Sequence, residues 1–148
     1  METQLKKVSG MTLIEILVTL AIIGIITAVA YPAYVEYYAQ SYRADVLRDL
    51  ARAVNKQESY YADQLTYTAN MKDLGYGADP CKVETGAYTL DVKTDSSTDL
   101  ESEFLLQATA SSAQKQNDPS CAVISINHLG EKFAEDTQGN DTTQTCWY

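Results

Sequence analysis

Histidine occurs once in the 148 residues, at His128, and cysteine three times, at Cys81, Cys121 and Cys146, with no C-x-x-C spacing. Zinc is held by thiolates and imidazoles clustered at short intervals, so no zinc site is expected. Catalytic patterns are equally scarce. There is no Gly-x-Ser-x-Gly and no glycine-rich loop to cradle phosphates, and a lone histidine leaves no obvious nucleophile–base pair. Neither an enzyme nor a cofactor is expected. Asp95, Asp99, Glu101 and Glu103 lie close together but lack an ordered calcium-ligand loop, so they read as a solvated acidic face. Positive charge is in deficit as well, with 11 Lys and Arg against 20 Asp and Glu. Residues 32–148 alone hold 9 basic and 18 acidic residues, which accounts for the whole net charge of −9. A body of that sign repels phosphate backbones, so general nucleic-acid binding is not expected. It is equally unsuited to lying on an anionic membrane surface.

What the chain does have is a long apolar run. Met11 to Tyr31 is apolar or small apart from Glu15 and the threonines. As a helix these residues would reach about 31 Å, enough to cross a bilayer. Lys6 and Lys7 precede the run, which predicts a cytoplasmic N-terminus and an exported body. In a secretory signal the small-residue cleavage site follows the apolar segment; here Ser9-Gly10 comes before it. A cut at Gly10 would therefore remove the charges and keep the apolar segment. An uncleaved signal anchor accounts for all of this except Glu15. A carboxylate in hydrocarbon costs roughly 2.5–3.5 kcal/mol on insertion scales. Glu15 therefore either snorkels to the cytoplasmic interface or has a partner.

Gly10-Met11-Thr12-Leu13-Ile14-Glu15, continued by the apolar stretch Ile16 to Tyr31 and by Pro32, resembles a type IV prepilin. The resemblance implies that residues 1–10 are a leader cut by prepilin peptidase between Gly10 and Met11, with N-methylation of the new Met11 amine. It implies that Glu15 pairs with the positive N-terminus of a neighbouring subunit, and that Gly24 and Pro32 are the helix's weak points. Met11 stands where most major pilins have phenylalanine, which points to a minor pilin. The implied function is a structural subunit of a type IV pilus serving adhesion, twitching motility or DNA uptake. A type II secretion pseudopilin and an unprocessed, signal-anchored periplasmic binding module are the alternatives. Implied partners are major and minor pilins, the peptidase, an inner-membrane assembly platform and inner-membrane lipid. Before assembly the chain would cross the bacterial inner membrane once, and afterwards lie in the pilus at the cell surface.

Beyond Pro32 no turn cluster intervenes. Tyr31, Tyr34, Tyr37 and Tyr38 read as an interfacial aromatic belt. Tyr42, Val46, Leu50, Ala53 or Val54, and Tyr60 or Tyr61 then recur at helical spacing. Arg43, Asp45, Arg48, Asp49, Arg52 and Lys56 are assigned to the opposite, polar side. One helix from about Thr12 to Ala62 is expected, bent where Pro32 removes a backbone hydrogen bond. Residues 63–86 read as a loop, and 87–94, 103–111, 121–128 and 131–136 as short strands. The fold class is therefore α+β, with a long kinked N-terminal helix packed on three or four antiparallel strands in the manner of the pilin fold. The expected organisation is a leader (1–10), a transmembrane and filament-core segment (11–31) and an exported globular domain (32–148). Three cysteines allow three pairings. The resemblance implies a Cys121–Cys146 staple of the C-terminal region, leaving Cys81 over.

Overall fold

The computed structural model describes residues 10–148; the expectations for Lys6, Lys7 and the rest of the leader up to residue 9 lie outside the described residues. In chain order the elements are α1 (Leu13–Gln64), β1 (Cys81–Lys82), β2 (Tyr88–Lys93), β3 (Leu105–Ala110), α2 (Ser112–Asn117), a 3-10 turn (Pro119–Cys121), β4 (Val123–Asn127), β5 (Lys132–Glu135) and α3 (Thr143–Trp147). The chain divides into two units, one ending at Val35 and the other spanning Glu36–Tyr148. α1 is stopped just past Gln64 by Leu65, whose backbone turns left-handed at φ 57° while its N–H returns to the Tyr61 carbonyl at 2.8 Å.

The five strands lie in sequence order, β1-β2-β3-β4-β5, and every neighbouring pair is antiparallel. Alternation decides which face is buried. Tyr88, Leu90 and Val92 on β2 stand opposite Ala110, Ala108 and Leu106 on β3. β4 continues this face with Ile126 and Ile124, and β5 with Ala134. All nine side chains are buried in one cluster with Val46, Leu50 and Ala53 of α1. The loop after α1 is tied back by Gln57, which is fully buried. Its amide donates to the Thr68 carbonyl at 2.7 Å and accepts from the Thr68 N–H at 3.1 Å.

Three features differ from expectation. The sheet has five strands, because Cys81–Lys82 pairs with Leu90 and Thr89 of β2. Two residues carry no periodicity, so this strand was invisible inside a loop-like segment. The polar connector after β3 contains α2, opened by Ser111 Oγ, which accepts from the Gln114 N–H. Third, the side of α1 opposite the stripe is not uniformly solvated. Lys56 Nζ donates to the Leu74 carbonyl at 2.7 Å and sits 4.2 Å above the Tyr76 ring. Arg43 is drawn into the interior by groups described below.

Leu50 is fully enclosed at the centre of the contact between helix and sheet. Leu50→Ala should lower stability by about 2–5 kcal/mol. Urea unfolding of the full chain in detergent micelles measures this, and a change below about 1 kcal/mol would remove Leu50 from the packed core.

Candidate assembly site

No residue from 10 to 34 is buried by the chain's own fold. Leu13 is 78% exposed and Ile25 70%. An apolar surface of this extent on one helix has no stable place in water. The helix is also long and apolar enough to cross a membrane. Its hydroxyls are satisfied internally, with Thr19 donating to the Ile16 carbonyl at 2.9 Å and Thr27 to the Ile23 carbonyl at 2.7 Å. Glu15 is therefore the single formal charge between Met11 and Tyr31.

Glu15 has a local partner that the sequence pattern contained. Thr12 Oγ1 accepts from the Glu15 N–H at 3.3 Å, and Glu15 Oε2 accepts from the Thr12 N–H at 3.5 Å. This is a capping box, Thr-x-x-Glu, which satisfies two otherwise orphaned donors at the start of α1. A negative group in the first turn also suits the helix dipole. The second contact is long, so the carboxylate keeps most of its capacity to accept from a stronger donor. Gly10 and Met11 lie exposed just ahead of α1. Gly24 and Pro32 both lie inside it. A Cβ at Gly24 would meet no atom within 4 Å, and Pro32 leaves the Ala28 carbonyl without its usual donor.

A second cluster gathers around the disulfide that joins Cys121 to Cys146, with Cα atoms 5.8 Å apart. Arg43 Nη1 reaches the Cys121 Sγ and the Thr145 carbonyl, both at 3.0 Å, while its Nε lies 3.5 Å from Asp118 Oδ2. The Tyr88 hydroxyl donates to the Cys121 carbonyl at 3.1 Å, and burial pushes its pKa up to about 12. Gln114 donates to the Ala39 carbonyl at 3.0 Å, and Trp147 Nε1 to the Phe133 carbonyl at 2.9 Å. These bonds fasten a tail whose sequence is mostly polar. Cys81 stays a free thiol on β1, and burial together with the nearby Asp49 raises its pKa. Nothing in the spacing of Arg43, Gln114 and Asp118 announced this cluster, since Gln114 and Asp118 each lie 75 residues from the helix residue they meet.

The acidic segment between β2 and β3 uses its carboxylates locally. Asp95 accepts from the Ser97 N–H at 2.7 Å and Asp99 from the Glu101 N–H at 3.1 Å, each closing its own turn.

Comparison with known proteins gives two family matches. Residues 5–31 match the prokaryotic N-terminal methylation motif. Residues 32–125 match the family described as type IV minor pilin ComP, DNA uptake sequence receptor, over more than half of the chain. The chain belongs to this minor pilin family. It is also 36% identical over 69 residues to the fimbrial protein EcpC of Eikenella corrodens, covering 47% of this chain and 45% of that one. Against the type IV major pilin protein PilE1 of Neisseria gonorrhoeae it is 30% identical over 86 residues, covering 58% and 47%. Against the type IV major pilin protein PilA of Myxococcus xanthus it is 30% identical over 67 residues, covering 45% and 30%. The matched stretches thus span less than half the length of these curated relatives.

Asp118 gives the minor pilin a pH signature. Burial raises its carboxyl pKa above the ordinary range, and the attraction of Arg43 offsets only part of that rise. The folded chain therefore binds this proton more tightly than the unfolded chain does. Asp118 accordingly opposes folding once pH passes from the ordinary value, about 3.9, through the raised one. Asp118→Asn removes that titration, so the variant should gain on the wild type as pH rises from about 4 towards neutrality. Urea midpoints of both proteins across this range test it; a constant difference would show that Asp118 titrates normally.

Proposed function

We propose that this chain is a structural subunit, a minor pilin, of a type IV pilus. Prepilin peptidase cuts between Gly10 and Met11, the new Met11 amine is methylated, and residues 11–31 hold the subunit in the inner membrane until it enters the filament. The assembly platform and the major and minor pilins are its partners. The body, residues 32–148, is exported and ends at the cell surface. The observation that carries this reading is the wholly uncovered apolar first half of α1, up to residue 34, with Glu15 in its first turn. Lipid can cover the apolar side chains, but it offers nothing to a carboxylate. A neighbour's N-terminal ammonium does, and in low dielectric such a pair sets the register between subunits more than it adds net stability. Pro32 and Gly24 supply positions where the helix yields during packing.

The family's description names a receptor for DNA. In this chain Arg48 pairs with Asp45 at 2.8 Å, Arg52 with Asp49 at 2.8 Å and Lys93 with Asp91 at 2.9 Å, while Arg43 lies inward against Asp118. Four of the body's nine cations are thus beside carboxylates, and with 18 acidic residues against those nine the body as a whole repels phosphate. The fibre-subunit role is therefore the one we assign, with any part in adhesion, motility or DNA uptake exercised through the assembled filament.

Mass spectrometry of sheared filaments should find a form beginning at Met11 with one added methyl group. Glu15→Ala should still enter the membrane and fall in filaments by about tenfold or more, the effect of losing roughly 1.4 kcal/mol per contact. A chain that keeps its leader, or a Glu15→Ala variant incorporated like wild type, would overturn the reading. Duplex DNA at physiological salt should bind no tighter than the nonspecific range, about 10⁻⁴ to 10⁻⁶ M. Binding well below the micromolar range and selective for one sequence would instead make the body a DNA receptor in its own right.

A further inference from the structure

The two sulfurs of the disulfide face opposite environments. Cys121 Sγ has the Arg43 guanidinium 3.0 Å away. Cys146 Sγ has the Ser120 carbonyl oxygen at 3.3 Å and the Thr142 hydroxyl at 3.6 Å. A cation favours a thiolate and an electron-rich carbonyl disfavours one. In thiol–disulfide exchange the sulfur that becomes the better thiolate leaves faster, so attack falls on its partner. We infer that Arg43 sets the direction of exchange at this bond, making Cys146 the sulfur that an external thiol attacks and Cys121 the one that leaves.

The step is balanced. An external thiolate, from glutathione or a dithiol oxidoreductase, bonds to Cys146 Sγ as the Cys121–Cys146 bond breaks. The electron pair passes to Cys121 Sγ, which is held as a thiolate beside Arg43. Run in reverse, this is how the bond forms. A disulfide-bearing catalyst first caps Cys146, Cys121 then attacks Cys146 Sγ, and the catalyst departs as its thiolate. No further oxidant is consumed.

The remaining groups around Cys121 fit this polarity. Tyr88 from β2 presents a neutral phenol that donates to the Cys121 carbonyl. Asp118 is the one charge opposing a thiolate, and it lies on the Nε side of Arg43, whereas the sulfur faces Nη1. Burial does not separate the two sulfurs, since Cys121 is 0% and Cys146 3% exposed, so the charge beside each one decides. The free thiol of Cys81, beside Asp49, is a weak competitor because its environment disfavours the thiolate.

The oxidised full chain in detergent micelles is incubated with reduced glutathione at neutral pH, quenched in acid and digested. Cleavage after Lys132 places Cys121 and Cys146 on different peptides. Glutathione should appear on Cys146 in about tenfold excess over Cys121. Arg43→Gln should bring the two adducts to parity, and Arg43→Lys should keep the bias. Asp118→Asn, which leaves Arg43 in place, should strengthen it. Closure of the Cys146 mixed disulfide should also titrate below the ordinary cysteine value of about 8.5 and move upward in Arg43→Gln. Equal or greater labelling of Cys121 in the wild type, or an Arg43→Gln ratio and pH profile matching wild type, overturns the inference. Should Arg43→Gln fail to fold, an unchanged or weakened bias in Asp118→Asn overturns it equally. Both readouts concern the soluble body's sulfurs and stand apart from whether the chain enters a filament.

Discussion

An apolar helix segment that the protein's own fold leaves uncovered is the constraint from which most of this molecule follows. Every residue from 10 to 34 is exposed, and the only charge after Gly10 in that stretch is Glu15. The chain cannot satisfy that surface alone; lipid or other subunits must do so. The capping box between Thr12 and Glu15 starts the helix cleanly without neutralising the acid. One side chain therefore serves a local purpose, as helix cap, and in the function proposed above also a long-range one, as the partner of a positive neighbour. The two are compatible because a carboxylate has more acceptor sites than one N–H can fill.

The second half of α1 has the opposite task. Val46, Leu50 and Ala53 supply the apolar floor on which β2, β3, β4 and β5 lay their inward faces. Polar groups at the margins of the same helix then collect the segments that the sheet does not cover. Gln57 holds the loop after α1, Lys56 holds Leu74, and Arg43 holds the disulfide-bonded tail. The C-terminal region contributes little apolar surface of its own, so covalent and hydrogen-bonded fastening replaces core packing there. In the chain-entropy account, closing the 25-residue separation between Cys121 and Cys146 stabilises by roughly 3.5 kcal/mol.

Much of this was legible in the residues. The helix was read over about 12–62 and runs Leu13–Gln64, because helical periodicity and the absence of turn residues are local signals. The strands from Tyr88, Leu105, Val123 and Lys132 were likewise marked by alternation and by polar connectors. β1 and α2 were missed, being too short to show a period. The Thr12–Glu15 capping box could have been found, since its spacing is a sequence signature. Arg43 is assigned to the polar side because it lies off the apolar stripe of α1, and the helical wheel says nothing about a tail that arrives 102 residues later.

The sequence by itself determined the properties that depend on neighbours within a turn or two. These are the uncovered helix, the acidic body, the helix-starting cap and the inward face of each strand. Only the tertiary structure decided which arginine leaves the solvent and which sulfur faces a cation. Those outcomes depend on where distant segments come to rest, and that is set by closing the whole chain around one core rather than by any residue's immediate surroundings.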